Sequence, residues 1–211
     1  ITTSNIRRKD SYTRFFCSCL LTVVRNPFSP DLKEEIRKIV EPSILKIKQN
    51  ISVKYVNNAA TFVDEKALIK QKEKIEVEID VAKDRTNLKD FSTYLERINS
   101  TTIEDLTKIL KEVYIDKKPS LSGSFVYPDT GYMGWHTNHL DPCKRLYIVY
   151  ADEDKRSFFK YEEDGKIITD FDDQGLTIRE FDIPSTKPYF WHCVGSTCNR
   201  FSFGFRIEEM N

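Results

Sequence analysis

Beyond Lys117-Lys118-Pro119 the chain reads as short alternating runs of apolar and polar residues broken by turn residues, and few architectures accept that texture. Runs at 121–127, 132–138, 145–151, 156–161, 176–182, 188–194 and 200–207 are each long enough for one strand. Pro128-Asp129-Thr130-Gly131, Asp141-Pro142, Asp164-Gly165 and Gln174-Gly175 supply turn chemistry between them. A strand points successive side chains to opposite faces, so such runs need a second sheet to bury against. The expected fold is α+β, mainly β: a double-stranded β-helix (jelly roll) with N-terminal supporting helices.

The first part of the chain has a helical period. Ser29-Pro30-Asp31 combines an N-cap, a proline at the first helical position and an early acid, and Leu32, Ile36, Ile39 and Val40 make an apolar face behind it. Pro42 is expected to interrupt that helix, with Ile44, Leu45 and Ile47 continuing at an altered angle. Ile75, Val77, Ile79 and Val81 alternate with charged residues and predict a strand over 75–81. Leu88, Phe91, Leu95 and Ile98 predict a further helix. A second follows behind a capping box of Thr101 and Glu104, with Ile103, Leu106, Leu110 and Val113 as its face. With 211 residues and 39% apolar content, one core is expected. The chain therefore divides into mixed support over 1–119 and a jelly-roll core over 120–211, within a single domain whose helices buttress the outside of one sheet.

Lysine plus arginine equals aspartate plus glutamate at 33 each, so no whole-chain field draws in nucleic acid or an anionic membrane. Neither is an expected partner. The longest apolar run, 15–24, is about half of what a spanning helix needs. Cys17, Cys19, Cys143, Cys193 and Cys198 lack the spacing of a zinc ribbon or a disulfide scaffold, which fits reduced thiols and a cytoplasmic location.

Histidine is scarce. The chain has three, and two of them close the Trp-His pairs Trp135-His136 and Trp191-His192 on strand-like runs. Residues two apart on a strand share a face, so His136 and Asn138 can aim at one spot while His192 approaches from a later strand. Two imidazoles and one oxygen donor on one side of a metal leave positions open for other ligands, as in facial-triad Fe(II) oxygenases. On the last strand Arg200, Ser202, Gly204 and Arg206 share a face, and a guanidinium beside a hydroxyl can hold a carboxylate. Arg206 is read either as a second anion contact or as a solvated position. Trp135 and Trp191 are read as packing residues.

In these motifs and their order the chain resembles the 2-oxoglutarate and Fe(II)-dependent oxygenases, in particular their prolyl-hydroxylase-like branch. Members of that family carry His-x-Asp/Glu, a distal His, and an Arg or Lys shortly beyond it, often as Arg-x-Ser. The matching residues here are His136, Asn138, His192, Arg200 and Ser202. The run from Phe125 through Gly131 to His136 is similar to the strand and glycine turn before the family's first ligand. Arg145 to Asp152 is similar to the strand ending in Tyr-Leu-Asn, by which Tyr150 is expected to touch the cosubstrate carboxylate. The resemblance covers residues 121–207. It implies Fe(II) at His136, Asn138 and His192, with His136 and His192 as the catalytic ligands, and 2-oxoglutarate held by Arg200, Ser202 and Tyr150. It also implies O2 as co-reactant and hydroxylation of a peptide or protein side chain such as proline, or of a small amino-acid-like molecule.

One departure concerns the third ligand. Asn138 stands where the family has a carboxylate, and a neutral amide oxygen is a weaker donor. Asn138 itself, His139 or Asp141 could complete the site, in an order that puts Asn138 first. Two rival readings keep the fold: a cupin-like metal-binding or non-redox module, and a catalytically impaired oxygenase-fold binding protein.

Overall fold

The computed structural model describes residues 22–48, 59–77, 96–97 and 101–210. Among them, ten strands form two antiparallel sheets. In chain order these are β1 (Val24–Arg25), β2 (Glu96–Arg97), β3 (Lys117–Tyr127), β4 (Tyr132–His136) and β5 (Lys144–Ala151). They continue as β6 (Ser157–Glu163), β7 (Lys166–Phe171), β8 (Gly175–Asp182), β9 (His192–Ser196) and β10 (Arg200–Glu209). The larger sheet has the order β1-β8-β5-β10-β3-β2 and the smaller β4-β9-β6-β7. From β3 onward the chain crosses repeatedly between the sheets.

The outer face of the larger sheet carries Ile148, Ile178, Phe201, Phe203 and Phe205, all buried. Two helices cover it: α1 (Pro30–Lys48), through Ile36, Val40 and Ile44, and a helix at Thr102–Val113, through Leu106, Ile109 and Leu110. A helix with one apolar stripe has to bury it, and this greasy sheet face is the partner. The Leu32 amide donates to the Ser29 hydroxyl at 3.3 Å, the cap expected at the start of α1. Pro42 does not interrupt α1, which runs on to Lys48 and keeps Ile44 on the same buried face. The expected capping box at Thr101 does not form: Thr101 already has helical backbone angles, φ −56 and ψ −21, and its side chain makes no cap bond.

The smaller sheet has its own cover, where helices on one sheet only were expected. A 3-10 turn at Ala59–Phe62 and α2 (Glu65–Val77) lay Phe62, Val63, Ala67 and Leu68 over Tyr132, Trp135 and Trp191. The helix at Thr102–Val113 is accordingly α3. Residues 75–77, expected to open a strand, close α2 instead. Ala67, Leu68 and Gln71 are buried at helical spacing, and that packing prevails over the local alternation that follows. The rest of the expected strand, 78–81, lies outside the described residues, as does most of the apolar run 15–24. So does the helix expected around Leu88 to Ile98, apart from Glu96–Arg97, which pair with β3 as β2 rather than forming a helix.

The strand β7 was likewise not expected. Asp164 and Gly165 have φ of 50 and 75, the paired left-handed residues of a tight hairpin, and they fold β7 back onto β6. Among the described residues no helix is long and apolar enough to cross a membrane.

Candidate functional site

Between the sheets lies a cavity of about 260 Å³. The larger sheet supplies Ser122 and Gly123 from β3, Arg145 and Tyr147 from β5, and Ser202, Gly204 and Arg206 from β10. The smaller sheet supplies Met133 and His136 from β4 and His192 and Val194 from β9. The space exists partly because Gly123 and Gly204 are cross-strand partners without side chains. A Cβ on Gly204 would stand 2.9 Å from the Ser122 hydroxyl and 3.1 Å from the Tyr147 ring.

His136 and His192 are direct partners across β4 and β9, and their ring centroids are 4.1 Å apart. A register shift sets this up. Met133 pairs with Val194, yet three residues later His136 pairs with His192, so β4 carries one extra residue between them. The resulting bulge allows Met133 and His136, an odd number apart, both to line the cavity. In each Trp-His pair the tryptophan goes the other way, into the layer under α2, as its reading as a packing residue requires. The Trp135 indole N–H donates to the Asp64 carbonyl at 2.8 Å.

The two imidazoles have fixed tautomers. His136 Nδ1 lies 2.8 Å from the Gly134 carbonyl and His192 Nδ1 lies 3.1 Å from the Phe190 carbonyl. A carbonyl only accepts, so each Nδ1 carries a proton, and in the neutral ring the lone pair is then on Nε2. That is the arrangement of ligating histidines, whose second nitrogen is anchored to the protein. Burial, and after it the neighbouring His136, hold His192 well below its ordinary value of 6.5, so it is neutral at neutral pH.

The other expected donors are distributed differently. Asn138 is not on a strand: β4 ends at His136, and Asn138 turns with φ 55, a left-handed conformation that asparagine tolerates. The turn still delivers it to the cavity, with Nδ2 3.3 Å from His192 Nε2. The amide donates to the lone pair, and a half-rotation of the amide would bring its oxygen to the same place. His139 points elsewhere, bonding Thr137 through Nδ1 at 2.6 Å and stacking on Tyr189 at 4.2 Å. Asp141 lines the cavity, but its Oδ2 accepts from Arg145 at 2.8 Å and from Arg206 at 3.0 Å. Burial works to raise the Asp141 pKa, and these two guanidiniums outweigh it and lower it. Among the described residues no three His, Cys, Asp or Glu side chains converge, and the candidate donors gathered here are the two imidazoles and the Asn138 amide.

For the expected anion contacts, Ser202 is on the cavity wall and Arg200 is behind it. Arg200 is fully buried, lies 5.0 Å over the ring of Tyr127, which lines the cavity, and donates Nε to Asp172 at 2.9 Å. Its two terminal nitrogens are buried without a hydrogen-bond partner among the described residues. Asp172 also accepts from Arg179 and Ser157, both at 2.5 Å. Burial alone would raise the Asp172 pKa, but Arg200 and Arg179 lower it far below the carboxylate range. Tyr150 does not reach the cavity. It faces the helix layer, with the Lys48 ammonium 5.9 Å from its ring, because odd and even positions of β5 point to opposite sides and Tyr147 holds the inward place. Arg145, Arg206 and Asp141 form a second charged group in the cavity: Arg206 takes the anion-contacting one of its two expected positions, Asp141 was weighed only as an alternative ligand, and Arg145 was not expected at the site.

Comparison with solved structures finds proteins of similar fold. A Pseudomonas putida prolyl-4-hydroxylase matches with a TM-score of 0.51 and 9% identity, over 90% of this chain and 94% of that one. The likeness is one of fold. A prolyl hydroxylase from Trichoplax adhaerens, solved with a hypoxia inducible factor oxygen degradation domain peptide fragment, matches at 0.47 and 8% identity over 91% of this chain and 84% of that one. A 2OG-Fe(II) oxygenase family oxidoreductase from Burkholderia pseudomallei matches at 0.35 and 11% identity over 54% and 53%. No family model matches the chain, and no curated protein matches its sequence.

Proposed function

We propose that this chain is a non-haem Fe(II) oxygenase that uses 2-oxoglutarate as cosubstrate on a jelly-roll scaffold. The observation that carries the reading is the opposed pair His136 and His192, each with Nδ1 tied to a carbonyl and Nε2 left as the ligating atom. The repeated crossing between sheets and the similarity in fold to a prolyl-4-hydroxylase support the scaffold. The residues fit the metal at two donors, with Asn138 as the third through its amide oxygen. A bound Fe(II) would supply the activation of O2 that couples decarboxylation of 2-oxoglutarate to hydroxylation of a substrate.

The chain's own groups do the rest. The carbonyls of Gly134 and Phe190 each engage an Nδ1, so Nε2 is the nitrogen through which either ring would ligate a metal. Ser202 on the wall, and the unpartnered terminal nitrogens of Arg200 beside Tyr127, receive the far carboxylate of the cosubstrate. Those buried donors are costly while unpaired, and an anion among them removes the cost. Phe159, Phe181 and Phe190 pack around His192 and keep water from its rear side. By the resemblance of its motifs, the substrate class is a peptidyl side chain such as proline, or a small amino-acid-like molecule.

The test is an anaerobic titration with Fe(II) and then 2-oxoglutarate, read by the visible charge-transfer absorption of the keto-acid chelate. The band should appear, and should be lost in His192→Ala. Iron binding without the band would favour a cupin-like module. A second reading has one observation behind it: Asn138 donates to His192 Nε2 and so caps a ligating atom, as an impaired binding protein would allow. Failure to bind any divalent metal would favour that one.

A further inference from the structure

Arg145 and Arg206 are direct cross-strand partners on β5 and β10, and both line the cavity. Like charges placed opposite one another in a sheet are destabilising, and an anion between them relieves the repulsion. Here a single oxygen of Asp141 serves both guanidiniums. Two cations thus share one carboxylate. Arg145 is almost wholly buried, its side chain 4% exposed, and its Nε has no hydrogen-bond partner among the described residues. Arg206 is about a third exposed, and its Nε reaches the Ser120 hydroxyl at 3.4 Å. Glu208 lies further out, where Ser120 lies 3.2 Å from its carboxylate. Asp141 itself is half exposed and sits in the turn that begins at Asn138, whose carbonyl accepts the Asp141 amide at 2.9 Å.

We propose that Arg145 and Arg206 form a carboxylate-recognition site at the mouth of the cavity, which takes an acid group carried by the substrate. The guanidinium fork matches a planar carboxylate, and a buried Nε without a partner is an open donor in that fork. Asp141 is the internal stand-in that holds the pair while no ligand is present. The site lies on the same cavity as His192 and Asn138, and Arg206 is six residues along β10 from Arg200, at the opposite end of the inward-facing row. A molecule with a carboxylate at one end is thereby oriented with its body toward the histidines. The substrate is then an acid, such as a free amino-acid derivative or a chain terminus, rather than an internal peptide residue. This rests on reading the cavity as a substrate site, but not on the metal.

The experiment compares matched probes on the purified chain without added metal: N-acetyl-L-proline, N-acetyl-L-leucine and N-acetyl-L-phenylalanine against their amides, by calorimetry and ligand-observed NMR. At least one acid should bind at least about tenfold more tightly than its amide, and the preference should weaken with salt. Arg206→Gln should abolish the preference, and Arg145→Gln should do the same where it folds. In parallel, 2-oxoglutarate affinity of the Mn(II)-loaded protein should stay within about twofold in Arg206→Gln. Equal binding of acids and amides, or no binding of any acid at millimolar concentration, overturns the proposal. Loss of 2-oxoglutarate affinity in Arg206→Gln also overturns it and assigns the pair to the cosubstrate. If acids bind with the expected preference while 2-oxoglutarate never binds, the oxygenase reading fails and this site stands.

Discussion

His136 and His192 face each other as paired residues of neighbouring antiparallel strands, with ring centroids 4.1 Å apart and each Nδ1 engaged by a carbonyl two residues earlier in the chain. Two imidazoles so close, each anchored through Nδ1, could ligate one ion through Nε2, which is why the pair governs every expectation about a metal here.

Asn138 is the residue whose exchange should tell most. Its amide already reaches His192 Nε2, so a carboxylate of the same length in the same turn would offer a charged oxygen to the same place. Asn138→Asp should tighten Fe(II) binding by roughly tenfold or more, about 1.4 kcal/mol, and Asn138→Ala should weaken it. Anaerobic metal titration of the three proteins checks this. No change in either variant would remove Asn138 from the ligand set.

The depressed His192 makes stability depend on pH with a definite sign. Its folded pKa lies well below the ordinary 6.5, chiefly through burial, so the unfolded chain binds the extra proton first as pH falls. The contribution is complete above about pH 6.5 and is lost as pH drops toward the folded value, roughly 1.4 kcal/mol for each unit between the two. Urea midpoints should fall between about pH 7.5 and about pH 5.5, and fall less in His192→Gln. A wild-type midpoint flat over that range would refute it.

Asp172 holds two buried guanidiniums, and removing its charge strands both. Asp172→Asn should destabilise the fold by about 3–5 kcal/mol. Because its folded pKa is lowered, the stabilisation is present above the unfolded value of about 3.9 and disappears as pH falls below it. Denaturant titration at neutral pH tests the first expectation, and acid unfolding of the two proteins tests the second.

Tyr150 should be silent in ligand binding. It packs among the helices with Lys48 over its ring, whereas Tyr147 lines the cavity. Tyr150→Phe should leave 2-oxoglutarate affinity within about twofold, and Tyr147→Ala, which enlarges the cavity, should lower it several-fold. The reverse order of effects would show that the strand had been assigned the wrong face.

Much of this was legible in the sequence, for reasons that differ from place to place. The two Trp-His pairs were readable because rare residues stood at matching positions on alternating runs, and alternation fixes which side chain goes inward. The bulge in β4 was not, since an extra residue in one strand shows only against its partner. Asn138 was expected at the site through a shared strand face and arrives there through a left-handed turn instead. Strand alternation does not announce that geometry. Arg200 followed the pattern of its strand, but the partner that draws it off the wall, Asp172, comes from a segment 28 residues away whose pairing no local pattern announces. The edge strand β7 is half exposed, so it lacks the clean alternation of a buried face.

The bond from Trp135 to the Asp64 carbonyl has a consequence for how the site is held. Trp135 and His136 are consecutive, so the residue that grips the segment leading into α2 and the residue that faces the cavity share one peptide link. Trp191, just before His192 on the neighbouring segment, packs into the same apolar layer. The outer helical cover is in this sense the back plate of the two imidazoles: prising it off would tilt both rings at once, from a surface that no ligand in the cavity ever touches.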